Sequence, residues 1–252
     1  MSARRSSFHH YGPWLVAGTA ILVGIAYEAT RHHLVSRESV IVFLVLIPTI
    51  ILHEIAHGVV AYWCGDDTAK RAGRLSLNPL RHIDPIGSVL LPILLIVTTG
   101  SAFGWAKPVP VNIGRLRHPR NQAVLVGLAG PATNLLIAAA AGAVIHAAVT
   151  PQMYFATSIN QWPLGWEIVF FVGYINVVIA AFNLIPIPPL DGASVVERLL
   201  PASALPAYYR IRPAAMVLVI AVVFLAPGVL DTVFNHAIGW WEDLVFPRFS
   251  YP

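Results

Sequence analysis

One short run, residues 53–57, carries the types and spacing of a catalytic metal site. His53 and His57 are four residues apart, Glu54 follows the first histidine directly, and the surrounding stretch from about Ser39 to Trp63 is apolar. Residues four apart on an α-helix lie on one face, about one turn apart, so both imidazoles can reach the same ion. The spacing is that of the H-E-x-x-H pattern, which supplies two zinc ligands and a general base.

The composition places this run in a membrane. Of the 252 residues, 57% are hydrophobic and only 11% are charged, whereas about a quarter charged is normal for a soluble domain. The formal net charge is +4, but the basic residues lie in connections between apolar runs and form no long tract. Membrane topology explains this distribution, and we expect no nucleic-acid partner.

The apolar runs predict an all-α polytopic membrane protein with about five to six transmembrane helices. The clear spans are expected at about 14–27, 39–63, 123–149, 168–190 and 214–226. We treat residues 1–252 as a single membrane-embedded domain, with a catalytic core at about 41–192, an N-terminal span within 1–38 and C-terminal helices within 193–252. Trp240 and Trp241 are typical of interfacial anchors.

The apolar segment 86–97 decides on which sides of the membrane the motifs lie. It has roughly a dozen residues, which is short for the about 20 that a spanning helix needs. If it is re-entrant, all sixteen Lys and Arg residues except Arg31, Arg37 and Arg248 lie on the cytoplasmic side; a full crossing would leave no bias. We therefore expect a re-entrant element after the second helix, with the active site toward the cytoplasmic side of the cell membrane.

Two stretches beside this segment predict a β-hairpin-like element. Residues 74–77 alternate like a short strand before Asn78 and Pro79 end the pattern. Residues 107–112 contain two prolines, which favour an extended backbone.

A third zinc ligand is needed, because catalytic zinc usually has three protein ligands and one open position. Asp191 is the best candidate, since it ends a proline-broken apolar run on the same expected side of the membrane as His57. The alternative is an aspartate that caps the next helix. Asp66, Asp67 and Asp84 are competitors, although they lie in a polar connection where acidic residues need no special explanation.

Two asparagines inside apolar spans also need an explanation. Asn134 and Asn183 either bond neighbouring helices or hold the extended backbone of a substrate, whose peptide groups would otherwise be unpaired in a site of low dielectric.

The motifs at residues 53–57, 130–134 and 183–192, in this order, resemble the site-2 protease family of intramembrane zinc metalloproteases. The resemblance implies one zinc ion per chain and a three-helix catalytic core. The sequence departs from larger relatives in that we find neither a PDZ-like insertion nor a C-terminal nucleotide-sensing pair of domains, so we expect a minimal form. The resemblance also implies roles for six residues: zinc ligation by His53, His57 and Asp191, general base catalysis by Glu54, and substrate binding by Asn134 and Asn183.

The expected activity is hydrolysis of a peptide bond within or near a transmembrane segment of another membrane protein. Zinc would activate a water molecule and Glu54 would accept its proton. The expected partners are that substrate and the lipid bilayer, and the oligomeric state stays open. Two alternatives remain: a metal or proton transporter with an intramembrane His/Glu/Asp site, and a non-catalytic binding protein with a protease fold.

Overall fold

The computed structural model describes residues 36–82, 84, 107–155 and 158–246. Within these ranges the chain is helical and contains no β-strand, so the all-α prediction is confirmed. Short 3-10 turns lie at Pro79–Arg81, Ile113–Arg115 and Ile159–Gln161. The α-helices in chain order are α1 (Arg37–Trp63), α2 (Thr68–Arg71), α3 (Pro119–Ala148), α4 (Pro151–Tyr154), α5 (Leu164–Asn183), α6 (Ala193–Leu199), α7 (Leu205–Leu225) and α8 (Pro227–Val245).

Among the described residues, four helical stretches are long and apolar enough to cross a membrane: α1, α3, α5 and residues Leu205–Val223 of α7. They match the expected spans from the second onward. The first expected span, at about 14–27, lies outside the described residues. The total of five to six spans therefore stays a prediction.

The helices α1, α3 and α5 pack against one another and form the core of the bundle. At one end, the guanidinium of Arg37 on α1 pairs with the buried carboxylate of Glu167 on α5. At the other end, the Arg117 N–H just before α3 donates to the Cys64 carbonyl just after α1, at 3.0 Å. The helices α1 and α5 therefore run in the same direction and α3 runs opposite to them, as expected for the three-helix core.

The connection between α1 and α3 begins and ends at the same end of the bundle. The hydrogen bond between the Arg117 N–H and the Cys64 carbonyl joins its two ends. The predicted re-entrant segment 86–97 lies outside the described residues, and it stays a prediction. On either side of it, the Lys107 N–H donates to the His82 carbonyl at 2.9 Å.

Helix α5 ends earlier than the apolar pattern predicts. The expected span reached Leu190, whereas the helix stops at Asn183 and the chain continues in turns. The prolines that were expected to break this apolar run, Pro186, Pro188 and Pro189, lack the N–H groups that a helix requires. The Gly192 N–H donates to the Asn183 carbonyl at 2.7 Å. This hydrogen bond places Asp191 next to the end of α5.

Residues 74–77 do not form the predicted strand. The chain bends at Leu75 and Ser76, and Leu75 packs against α1 where Gly58 leaves room. A Cβ atom at Gly58 would lie 2.6 Å from Leu75 Cδ2 and 2.9 Å from Val109 Cγ1. The alternating pattern therefore does not indicate a strand here. It arises because Leu75 faces helix α1 whereas Leu77 is exposed.

The C-terminal helix α8 contributes to the core, contrary to the expectation that both tryptophans are interfacial anchors. Trp241 is buried, and its indole N–H donates to the Ala138 carbonyl on α3 at 3.0 Å. A Cβ atom at Gly173 on α5 would lie 2.1 Å from the Trp241 ring. Its neighbour Trp240 is exposed, at 79%. The missing side chain at Gly173 is what admits the indole between the helices.

Candidate metal centre and active site

The two histidines of α1 present their Nε2 atoms to one point. These atoms are 3.0 Å apart, as expected for neighbours on successive turns. Asp191 Oδ2 lies 3.0 Å from Nε2 of His53 and 3.4 Å from Nε2 of His57. Ligand atoms about 2.0–2.1 Å from a tetrahedral zinc ion are separated by about 3.3 Å. The triangle of the three atoms therefore has the size of one face of a zinc tetrahedron, which leaves a fourth position open.

The imidazole nitrogens that face away from this point are each held by a buried oxygen. His57 Nδ1 lies 2.6 Å from the Val126 carbonyl oxygen, and His53 Nδ1 lies 2.5 Å from Asn134 Oδ1. A carbonyl or amide oxygen only accepts, so both Nδ1 atoms carry the hydrogen. Each Nε2 then presents a lone pair, the tautomer that a zinc ligand needs.

The donor set fits a divalent cation. Asp191 Oδ2 is a buried atom without a hydrogen-bond donor in the described structure, and it faces two imidazole lone pairs. Three electron-rich atoms at such distances repel one another unless a cation lies between them. Imidazole nitrogen together with carboxylate oxygen suits zinc. Among the described residues, this is the group of histidine and acidic side chains that converges closely enough to hold a metal.

The histidines are overlaid by a helix position that has no side chain. A Cβ atom at Gly130 of α3 would lie 2.4 Å from His57 Nε2 and 2.5 Å from the His53 ring. Glycine at this position lets α3 pass directly over the ligand atoms. The motif at residues 130–134 therefore provides both the close approach and, four residues later, the Asn134 amide.

Glu54 is oriented by the chain segment that follows the undescribed residues. Its Oε2 accepts the Val109 N–H at 2.7 Å, and the side chain is half-buried. The same segment is fastened by Asp66, whose Oδ2 accepts the Asn112 N–H at 2.6 Å. Residues 107–112 carry no regular secondary structure and lie beside Glu54.

A comparison with known proteins decides the family. The family model "Peptidase family M50" matches residues 152–226. The "Putative zinc metalloprotease YwhC" of Bacillus subtilis is 40% identical over 162 residues, which are 63% of this chain and 68% of that protein. The chain belongs to peptidase family M50, the site-2 protease family.

Two mycobacterial proteins are also similar to this chain. The "Putative zinc metalloprotease Rip2" of Mycolicibacterium smegmatis is 33% identical over 147 residues, 58% of this chain and 52% of that protein. The protein of the same name from Mycobacterium tuberculosis is 29% identical over 233 residues, 91% of this chain and 83% of that protein. No solved structure matches significantly.

The structure brings together three of the expected site residues of this M50 chain and gives the others different surroundings. His53, His57 and Asp191 converge as described. Asn134 is fully buried, and its Nδ2 donates to Asn176 Oδ1 at 2.6 Å. Asn183 is half-buried, and its Nδ2 donates to the Ile179 carbonyl one turn back at 3.0 Å. Neither contact involves a substrate, so the substrate-binding role of both asparagines stays a prediction.

The competing aspartates have other partners. Asp66 is fully buried, and its carboxylate accepts the Thr68 N–H at 3.0 Å, the Thr68 hydroxyl and the Asn112 N–H. Asp67 pairs with Arg71 and with Arg115. Asp84 is not in the metal cluster either.

Sequence reasoning missed Val126 and Asn176, and it considered Asp66 only as a competing metal ligand. The Val126 carbonyl has no signal in the sequence, because any residue offers one. Asn176 and Asp66 were detectable, since one is an amide within an apolar span and the other follows a helix end directly. Sequence alone did not distinguish Asp66 from its acidic neighbours.

The pH dependence of the Asp66 contacts is predictable in sign. Burial raises the pKa of Asp66, but the hydrogen bonds from Thr68 and Asn112 and the charge of Arg115 outweigh it and hold the pKa below its usual value. The stabilisation is therefore complete above the usual aspartate pKa of about 3.9 and is lost as pH falls through the lower folded pKa. Asp66→Asn should cost about 1–3 kcal/mol at neutral pH.

Hydrogen exchange in nanodiscs tests this prediction. The amides of Val109 and Asn112 should be more protected in wild type than in Asp66→Asn from pH 5 to 8, and the difference should shrink below about pH 4. Asp67→Asn, at a partly exposed carboxylate, is the matched control with a smaller effect. Equal protection in wild type and Asp66→Asn at pH 7 would refute the fastening role.

Proposed function

We propose that this chain is a zinc metalloprotease that hydrolyses a peptide bond within or near a transmembrane segment of a membrane protein. The observation that carries the proposal is the convergence of His53, His57 and Asp191 in a bundle of helices long and apolar enough to cross a membrane. Membership of peptidase family M50 supports the same activity. The single domain at 1–252 is part of the proposal.

In this proposal His53, His57 and Asp191 would hold one zinc ion, which would supply Lewis acidity toward water and the substrate carbonyl. The chain does the remaining work. Val126 and Asn134 keep both imidazoles in the ligand tautomer. Glu54 takes a proton from the attacking water and passes it to the amine that leaves when the peptide C–N bond breaks.

We assign the active site to the cytoplasmic side of the cell membrane. His57 lies six residues before the end of α1, or about 9 Å at 1.5 Å per residue. At that end, Arg117 bonds Cys64, and Arg198 of α6 donates to Asn121 of α3 at 2.7 Å. Basic residues therefore gather at the end of the bundle nearest the metal ligands, as cytoplasmic connections do.

A helical substrate protects its carbonyls by intrahelical bonds, so it has to unwind before cleavage. We propose residues 107–112 as the segment beside which the unwound chain lies, because they border Glu54 and have no regular secondary structure. Residues 74–77 have no part in this proposal, since they bend and pack on Gly58.

Removal of the metal tests the activity. Purified protein in nanodiscs should cleave a fluorogenic transmembrane peptide, lose the activity after treatment with 1,10-phenanthroline, and recover it with one equivalent of zinc but not with magnesium. A soluble peptide of equal sequence without the flanking apolar residues is the control substrate. Undiminished cleavage by metal-free protein would refute the proposal.

A further inference from the structure

The buried amide of Asn134 is one link in a longer hydrogen-bonded chain across the three core helices. From α1 to α3 the link is His53 Nδ1–H to Asn134 Oδ1. From α3 to α5 it is Asn134 Nδ2 to Asn176 Oδ1 at 2.6 Å. Asn176 Nδ2 then donates to Thr49 Oγ1 on α1 at 3.1 Å and to the Val172 carbonyl on α5 at 2.8 Å.

One group in this chain fixes the direction of every hydrogen bond in it. The Val172 carbonyl oxygen can only accept, so the end of the Asn176 amide that faces it must be the nitrogen. The Asn176 oxygen then faces Asn134, whose nitrogen must turn toward it and whose oxygen must turn toward His53. Because Asn134 presents an oxygen to His53, the hydrogen of the imidazole must be on Nδ1. The Nε2 atom of His53 then directs its lone pair toward Asp191.

The surroundings make this order costly to break. Asn134 and Asn176 are fully buried and Thr49 is 4% exposed. The Thr49–Asn176 end of the chain borders an apolar recess of about 410 Å³, lined also by Ile41, Pro48 and Val172. A reversed amide would place two oxygens or two N–H groups face to face without water to separate them.

We propose that Asn176 is a positioning residue that, with Val172 as its anchor, sets the ligand tautomer of His53 through Asn134. The inference rests on the proposed zinc site. Outer partners of zinc-bound histidines typically change metal affinity by 10–100-fold when lost. The alternative role for buried amides is adhesion between helices, which would affect the stability of the bundle and leave zinc affinity alone.

Zinc affinity measured by competition with a chromogenic chelator separates the two roles. Asn176→Ala should weaken zinc binding about 10–100-fold. Asn176→Asp should restore it to near the wild-type value, because burial keeps the carboxyl group neutral, so that its O–H can donate to the Val172 carbonyl while its other oxygen accepts from Asn134. Val177→Ala, which removes buried methyl groups next to Asn176 on α5, is the packing control and should bind zinc as wild type does.

A double-variant cycle gives the sharpest outcome. If Asn176 acts through Asn134, the variant with both residues replaced by Ala should bind zinc no more weakly than Asn134→Ala alone. Additive losses, or equal affinity of wild type and Asn176→Ala, would overturn the inference. Because zinc affinity is read without substrate, a wild type that binds zinc and cleaves nothing would count against the proposed protease activity and leave this result standing.

Discussion

Glu54→Gln should retain one zinc ion per chain and lose peptide-bond cleavage by about 10²–10⁴-fold, the usual contribution of a general base. The glutamine amide keeps the size of the side chain and can still accept the Val109 N–H through its oxygen, so the segment 107–112 should stay in place. It cannot take a proton from water. The measurement is zinc content by atomic emission together with cleavage of a transmembrane peptide in nanodiscs.

The same variant separates the three functions considered for this site. If the protein is a protease, Glu54→Gln should keep its zinc and form no cleavage product. A metal or proton transporter would show flux in vesicles that depends on Glu54, without cleavage by wild type. A non-catalytic binding protein would show neither cleavage nor flux. Equal cleavage by wild type and Glu54→Gln would refute the role of Glu54 as the base.

Gly130→Ala should remove zinc from the site. A methyl group at this position would lie 2.4–2.5 Å from the ligand nitrogens of His57 and His53, a distance that Cβ contacts do not tolerate. The imidazoles cannot move aside, because Val126 and Asn134 hold them from behind. We expect the apparent zinc affinity to fall by at least about 100-fold, the upper end of the loss caused by changes in an outer partner, and cleavage to fall with it.

The matched control is Gly165→Ala on α5. No heavy atom lies within 4 Å of a Cβ atom built there, and alanine favours helix over glycine by about 1 kcal/mol. This variant should bind zinc as wild type does and unfold at the same or a higher temperature. Unchanged zinc affinity in Gly130→Ala would mean that α3 moves away at little cost, which would contradict the close approach described above.

Much of the metal centre follows from the sequence because it depends on local geometry. The pairing of His53 with His57 requires only the helical repeat. Asp191 was predicted from the prolines and from the number of membrane crossings, because an even number of crossings between two motifs places them on the same side of the membrane. Both arguments use distances along the chain, which the sequence contains.

The contacts behind the ligands were decided by tertiary structure alone. Asn134, Asn176 and Thr49 meet only because α1, α3 and α5 are rotated so that these faces point inward. In a membrane, lipid-facing and protein-facing sides are both apolar, so the hydropathy pattern that sets the rotation of helices in water carries little information. The same reason explains why Trp241 was expected at an interface and lies in the core.

The spacing of His53, Glu54 and His57 alone thus predicts a metal-binding turn. The Nε2 lone pairs of the two histidines face Asp191, and the Glu54 carboxylate faces the Val109 amide. These contacts depend on groups that lie between 55 and 138 residues away along the chain. Hydrogen bonds over such separations exist only once the helices have packed. The sequence determined which atoms can bind zinc, and the packing of three helices decided which way those atoms point.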